Sequence, residues 1–260
     1  MVEFLQVRKN PQGLSVVYTT MGLSSLLSAL LLFSVVTTIE PMLHWDYMVF
    51  TQQWTATFCT FKHCVRLPES KDFTIHGLWP NSWPSEEPKD CPVAPDFRRN
   101  AIEPIMDQLN EMWPDVLTSE DPFEFWKHEW YKHGRCAIED ELIGDELGYF
   151  NVSLGLKKRT PILQVLLQEG IEPNNYTVYK TEDIIAKLQK GFGTLPILSC
   201  MKKHKETAKL LEVRLCYDPS LALIDCVPKN HTQLESKATS EEQATSAMPC
   251  PSEILLPEFT

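Results

Sequence analysis

Phe125-Trp-Lys-His-Glu-Trp-Tyr-Lys-His-Gly134 gathers two histidines, a carboxylate and two lysines between tryptophans, in the best-marked helix of the chain. Asp121 can cap this helix, Pro122 suits its first position, and Glu124 completes an Asp-x-x-Glu start. Gly134 stands where a left-handed C′ residue would end it, which predicts a helix from Pro122 to His133. On a wheel with His128 at 0°, Lys132 falls at about 40°, Phe125 at about 60°, Glu129 at about 100° and His133 at about 140°. A solvated face could carry such charges. Trp126 and Trp130 nevertheless bury most of the helix, and buried ionisable groups are costly unless they do chemistry.

Working outward, Trp45-Asp-Tyr-Met-Val-Phe-Thr-Gln-Gln-Trp54 carries aromatic and β-branched residues on both alternating faces, the pattern of a central strand covered on both sides. Phe73-Thr-Ile-His-Gly-Leu-Trp79 reads as a second strand stopped by Pro80. Thr160-Pro161 opens a helix to about Gln168, and Thr181 opens another to about Lys190. Leu211–Cys216 and Leu221–Cys226 flank Asp218-Pro219-Ser220 as a hairpin. Residues 229–247 are polar and aperiodic, a flexible surface loop. No internal repeat is present. Clustered strands and helices with a hairpin give an α+β fold.

A net charge of −11 argues against a protein that coats nucleic acid through bulk electrostatics, although a cleft enzyme remains compatible with it. Protonating all seven histidines would bring the charge to −4, so an acidic compartment would relieve repulsion toward a polyanion. The uncharged apolar run Met21–Val36 has signal-peptide rather than membrane-span length, with Arg8 and Lys9 as a long basic prelude or Met21 as the start. A retained signal anchor is the alternative. The expected organisation is a signal peptide over residues 1–38 and one domain over 39–260. Sequons at Asn151, Asn175 and Asn230 fit the secretory route. So do the eight cysteines, Cys59, Cys64, Cys91, Cys136, Cys200, Cys216, Cys226 and Cys250. Four disulfides among them leave about 105 connectivities open. Structural zinc is the rival use, but no Cys-x-x-Cys pair occurs.

His128-Glu129-x-x-x-His133 is not the His-Glu-x-x-His zinc motif, because its histidines are five apart and diverge around the helix. His76, on the second strand, would by itself read as a satisfied core histidine. Gly77 beside it admits a close approach, and Trp79 offers a stacking face for a base.

Together, His76-Gly-Leu-Trp-Pro80 and His128-Glu-Trp-Tyr-Lys-His-Gly-Arg-Cys136 closely resemble the two active-site blocks of the ribonuclease T2 family of acid ribonucleases. The resemblance runs from about Trp45 to Cys250. It implies an antiparallel sheet with packed helices in a disulfide-stapled single domain. It also implies the pairs Cys59–Cys64, Cys91–Cys136, Cys200–Cys250 and Cys216–Cys226. Two positions depart from the family pattern: Arg135 replaces a usual threonine, which bears on loop packing, and Asn81 replaces a frequent aspartate, which bears on base preference.

The resemblance makes His133 the general base and His76 the general acid. His128 and Lys132 would hold phosphate oxygens, with Glu129 supporting the cluster and Trp79, Asn81 and Phe125 contacting the substrate. The expected activity is metal-independent, cofactor-free cleavage of single-stranded RNA through a 2′,3′-cyclic phosphate, with broad base specificity and an acidic optimum. DNA would be inert. The expected protein is a secreted or lysosomal monomer with no stable membrane association once the signal is removed. A binding or signalling protein on a ribonuclease scaffold is the alternative. Against it, His76, His128, Glu129, Lys132 and His133 are all retained.

Overall fold

The computed structural model describes residues 5–9, 15–19, 37–38, 43–83, 88, 91, 95–117, 121–226 and 247–259. Residues 1–43 form one unit, in which β1 (Leu5–Lys9) pairs antiparallel with β2 (Ser15–Thr19) and β2 with β3 (Thr37–Thr38). The apolar stretch 21–36, Asn230 and all but the last residue of the polar stretch 229–247 lie outside the described residues. Among the described residues no helix is long and apolar enough to cross a membrane.

The second unit, residues 44–260, is built around one sheet. Its strands are β4 (Tyr47–Gln53), β5 (Thr74–Asn81), β6 (Val178–Lys180), β7 (Ile197–Met201), β8 (Ala208–Tyr217), β9 (Leu223–Ile224), β10 (Met248–Pro249) and β11 (Glu253–Leu255). β8 is the hub. It pairs antiparallel with β7, β4 and β9, and its first residues pair with β11 in parallel. β4 lies between β5 and β8 and is buried along nearly its whole length, as its two-sided apolar pattern requires. β8 and β9 form the expected hairpin. The Asp218 side chain closes its turn by accepting from the amides of Ser220 and Ala222.

Pro80 does not stop the second strand. β5 continues to Asn81, with Pro80 opposite Met48. Among the described residues β5 pairs with β4 alone, so Pro80 sits on an edge strand, where proline is tolerated.

The helices at Ile162–Gln168 and Thr181–Phe192 match the sequence reading closely. They pack Ile162, Leu166, Ile184 and Leu188 against Leu198, Leu210 and Val213 of the sheet in one apolar core. Three helical segments lack a clear sequence signal: Thr55–Phe61, Arg99–Met112 and Glu146–Arg159. The last is capped by the Asp145 carboxylate, which accepts from Gly148 N at 2.8 Å. It shows no simple apolar stripe, because Tyr149, Phe150, Leu154 and Leu156 are buried together with Ser153 and Lys157. Four disulfides close the fold: Cys59–Cys64, Cys91–Cys136, Cys200–Cys250 and Cys216–Cys226. These are the pairs implied by the resemblance.

Candidate active site

The site lies where β5 meets the Phe125–Gly134 segment, and each element reaches it through a local irregularity. On β5, Thr51 pairs with Gly77 and Gln52 with Ile75, so His76 is the extra residue of a β-bulge. Residues three apart on a regular strand point to opposite faces. His76 and Trp79 are three apart, yet their rings meet edge to face at 5.1 Å. The bulge turns His76 onto the face that carries Trp79. A small apolar cluster of Tyr47, Val49 and the Cys216–Cys226 bridge packs against Trp79 from below.

The helix begins as the sequence indicates. The Asp121 carboxylate accepts from Phe123 N at 3.0 Å, with Pro122 in helical conformation behind it. Glu124 does not close a capping box but reaches Lys127 Nζ at 3.3 Å. Nor does the helix end at Gly134. The α-helix over Phe123–Glu129 widens into a π-turn over Trp130–Gly134 and resumes as a short α-helical turn to Ala137. Gly134 has ordinary right-handed helical angles. It is needed for space, since a Cβ there would come within 2.5 Å of Trp130 Cε3. A π-turn accommodates an inserted residue and is frequent at functional sites. Here it re-aims His133, which lies beyond the reach of α-helical spacing from His128.

Trp126 and Trp130 are fully buried and anchor the segment, donating from Nε1 to Trp113 O at 2.8 Å and Pro95 O at 3.0 Å. Arg135 stacks over the Tyr131 ring at 5.0 Å and approaches Asp96, while the Tyr131 hydroxyl donates to the Asp96 carboxylate at 3.1 Å. That departure from the family pattern therefore serves to fasten the 95–97 loop to the helix.

Trp79 stands at the centre. Its indole lies 5.3 Å from His133 and carries the Arg214 guanidinium at 5.5 Å, and its Nε1 donates to Glu129 Oε2 at 3.0 Å. Glu129 and His133 are nearly wholly buried, at 2% and 3% exposure, whereas His128 and Lys132 sit exposed at the rim. Phe125 stacks on His76 at 6.4 Å. The structure thus brings together His76, Trp79, Phe125, Glu129 and His133, with His128 and Lys132 beside them. Asn81 lies apart, at the far end of β5. It is buried and accepts from the Tyr47 hydroxyl at 3.4 Å, next to a Tyr47–Trp83 stack.

Three site residues escaped sequence reasoning, Glu212, Arg214 and Trp113. Glu212 Oε1 lies 2.7 Å from His76 Nδ1, and Arg214 Nη2 donates to Glu212 Oε2 at 2.7 Å. Both alternate with Leu211, Val213 and Leu215, a pattern that normally turns polar residues to solvent. Because β8 is central and covered on both faces, Glu212 is only 2% exposed. Trp113 also contributes, donating from Nε1 to His76 O at 3.0 Å and pinning the bulge.

The electrostatics separate the two inner histidines. Burial pushes the His133 imidazole down, and the charges of Lys132, His128 and His76 push it further, to about 3. Burial also pushes His76 down, but the hydrogen bond and charge of Glu212 and the charge of Glu129 outweigh it, so His76 lies above its ordinary value. Burial raises Glu129, partly offset by His76, the Trp79 hydrogen bond and Lys132. Near pH 5 the site therefore holds one neutral and one protonated imidazole next to the same indole, an arrangement that can both remove and supply a proton. Among the described residues no group of three or more histidine, cysteine or acidic side chains is placed to hold a metal ion.

Residues 45–226 match the family model of the Ribonuclease T2 family. Ribonuclease DdI of Dictyostelium discoideum is 36% identical over 182 residues, covering 70% of this chain and 78% of that protein. The crystal structure of human RNase T2 superposes with a TM-score of 0.66 at 26% identity, over 82% of this chain and 99% of that one. RNase NT, solved in complex with 5′-AMP, superposes with a TM-score of 0.68 at 28% identity, over 83% of this chain and 99% of its own. With both active-site blocks, all four disulfides and this fold in place, the chain belongs to the ribonuclease T2 family and is an endoribonuclease of that type.

Proposed function

We propose that the enzyme cleaves single-stranded RNA by transphosphorylation, with His133 as general base and His76 as general acid. His133 takes the 2′-hydroxyl proton, and the resulting oxygen attacks the adjacent phosphorus. His76 gives its proton to the departing 5′-oxygen, leaving a 2′,3′-cyclic phosphate that a second cycle opens with water. Lys132 and His128 at the rim, close enough to depress His133, are placed to meet the phosphorane oxygens. Glu129, tied to Trp79, balances these cations. The observation that carries this reading is the convergence of His76 and His133 on one indole, their rings 5.1 and 5.3 Å from Trp79, and the opposite displacement of their pKa values agrees with it.

Trp79 and Phe125 would offer stacking surfaces tolerant of any base, whereas Asn81, buried against Tyr47 at the far end of β5, is not placed to contact one. The nucleotide bound to the related RNase NT is in keeping with an RNA substrate. Asn151 and Asn175 are exposed, on a helix and a loop respectively, as glycan acceptors must be. With the four disulfides they support a protein of the secretory pathway, secreted or lysosomal, that loses residues 1–38 as a signal peptide and acts as a monomer. The test is product analysis of a digested dinucleotide in the presence of chelator. A 2′,3′-cyclic phosphate that disappears with His133→Ala supports the reading, and a 5′-phosphate product contradicts it.

A further inference from the structure

We propose that Glu212, held in place by Arg214, is the positioning residue for the general acid. Its carboxylate accepts the Nδ1 proton of His76, so that Nε2 is the nitrogen presented to the substrate. This rests on the acid role proposed above for His76.

β5 and β8 are separated by β4, so their backbones lie about 10 Å apart. Only two side chains extended across β4 can meet over that span, and His76 does so because the bulge turns it onto that face. The resulting contact is short, 2.7 Å from Nδ1 to Oε1, and its carboxylate is 3% exposed. The other carboxylate oxygen is held by Arg214 through Nη2 at 2.7 Å and Nε at 3.2 Å. A carboxylate buried this deeply is costly unless both oxygens are paired, and here both are. Arg214 then lies over Trp79, whose Nε1 holds Glu129. The acid is thus braced on one side by Glu212, while the same arginine connects that brace to the opposite wall of the site.

The charged groups facing His76 are Glu212 and Arg214 from β8 and Glu129 and His133 from the helix. Glu212 contributes the larger carboxylate effect through both its hydrogen bond and its charge. As the 5′-oxygen departs, the P–O5′ bond breaks, its electron pair takes the Nε2 proton, and the imidazole becomes neutral. The Nδ1–H bond to Glu212 persists throughout. Glu212 therefore selects one tautomer of neutral His76, the one with a bare Nε2. That tautomer can deprotonate the water that opens the cyclic phosphate, which restores the acid.

Glu212→Gln keeps the size and an acceptor for Nδ1 but removes the charge. The test compares kcat/KM on two substrates across pH: a dinucleotide, whose alkoxide leaving group needs an acid, and a nucleoside 3′-para-nitrophenyl phosphate, whose phenolate does not. On the dinucleotide the variant should lose about ten- to a hundredfold, part of the ~10²–10⁴ that a placed acid supplies. On the aryl ester it should lose far less, and the alkaline limb of the dinucleotide profile should move to lower pH. Equal losses on both substrates, or an unmoved alkaline limb, would overturn the role of Glu212. Arg214→Met, which loosens the brace on Glu212, should show the same asymmetry between the two substrates in weaker form. If Glu212→Gln does not fold, that two-substrate comparison decides the matter alone, because the Arg214 charge itself lowers His76 and its removal does not move the alkaline limb down. Full dinucleotide activity in His76→Ala would instead remove the acid reading beneath the proposal.

Discussion

Trp79 Nε1 donates to Glu129 Oε2 at 3.0 Å directly over the α-carbon of Gly77, so closely that a Cβ on residue 77 would lie 2.1 Å from the nitrogen and 2.2 Å from the oxygen. The glycine between His76 and Trp79 is the space through which that hydrogen bond passes. Gly77→Ala should therefore break the bond and release Glu129 while leaving the sheet paired. Overpacking of this kind costs about 1–3 kcal/mol of folding stability, and kcat/KM should fall by about tenfold or more because the site groups that the bond positions are displaced. Steady-state kinetics beside circular dichroism check this, and undiminished activity in a folded Gly77→Ala protein would contradict it.

The pH profile follows from the two imidazoles. His133 must be neutral to accept a proton, and its pKa is lowered to about 3, so activity should rise as pH passes upward through that region. His76 must be protonated to donate, and its pKa is raised above the ordinary 6.5, so activity should fall as pH rises beyond that point. The plateau of kcat/KM on a dinucleotide should lie between these limits, on the acid side of neutrality. An optimum in the alkaline range would reverse the assigned charge states.

Replacing either inner histidine should remove its share of proton transfer. His133→Ala and His76→Ala should each lower kcat/KM on RNA by about 10²–10⁴. The double variant should lose much less than the product of the two, because both groups act in one step. Multiplicative losses would show that the two act independently.

Chelation should have no effect. The reaction written here uses only imidazole, ammonium and carboxylate groups, so excess EDTA should leave the rate on single-stranded RNA unchanged. Loss of activity with EDTA, restored by zinc or magnesium, would contradict the two-histidine reaction.

The legible parts of the molecule were those whose periodicity met an ordinary environment. β4, the helices after Pro161 and Lys180 and the β8–β9 hairpin all follow from local pattern. The candidate site residues are legible because His76-Gly-Leu-Trp-Pro80 and His128–Cys136 lie in two contiguous blocks. What pattern could not give were the irregularities that assemble them. The bulge at His76 breaks period-two alternation, and the π-turn at Trp130–Gly134 carries the helix through a glycine that local rules read as its end. Pro80 failed as a strand stop because edge position is a tertiary fact. Glu212 and Arg214 stay hidden because alternation assigns them to solvent, and only the central place of β8 buries Glu212 and half-buries Arg214 beside it.

The most direct test of the central claim, cleavage through the 2′-hydroxyl by paired imidazoles, uses one oligonucleotide. A mixed-sequence single-stranded RNA with one internal 2′-deoxynucleotide is digested near pH 5 in excess EDTA, and every product end is identified by mass. The account predicts cuts at linkages throughout the strand, each leaving a 2′,3′-cyclic phosphate or its 3′-phosphate, with the single linkage following the deoxynucleotide left whole. Cleavage at that linkage would contradict it.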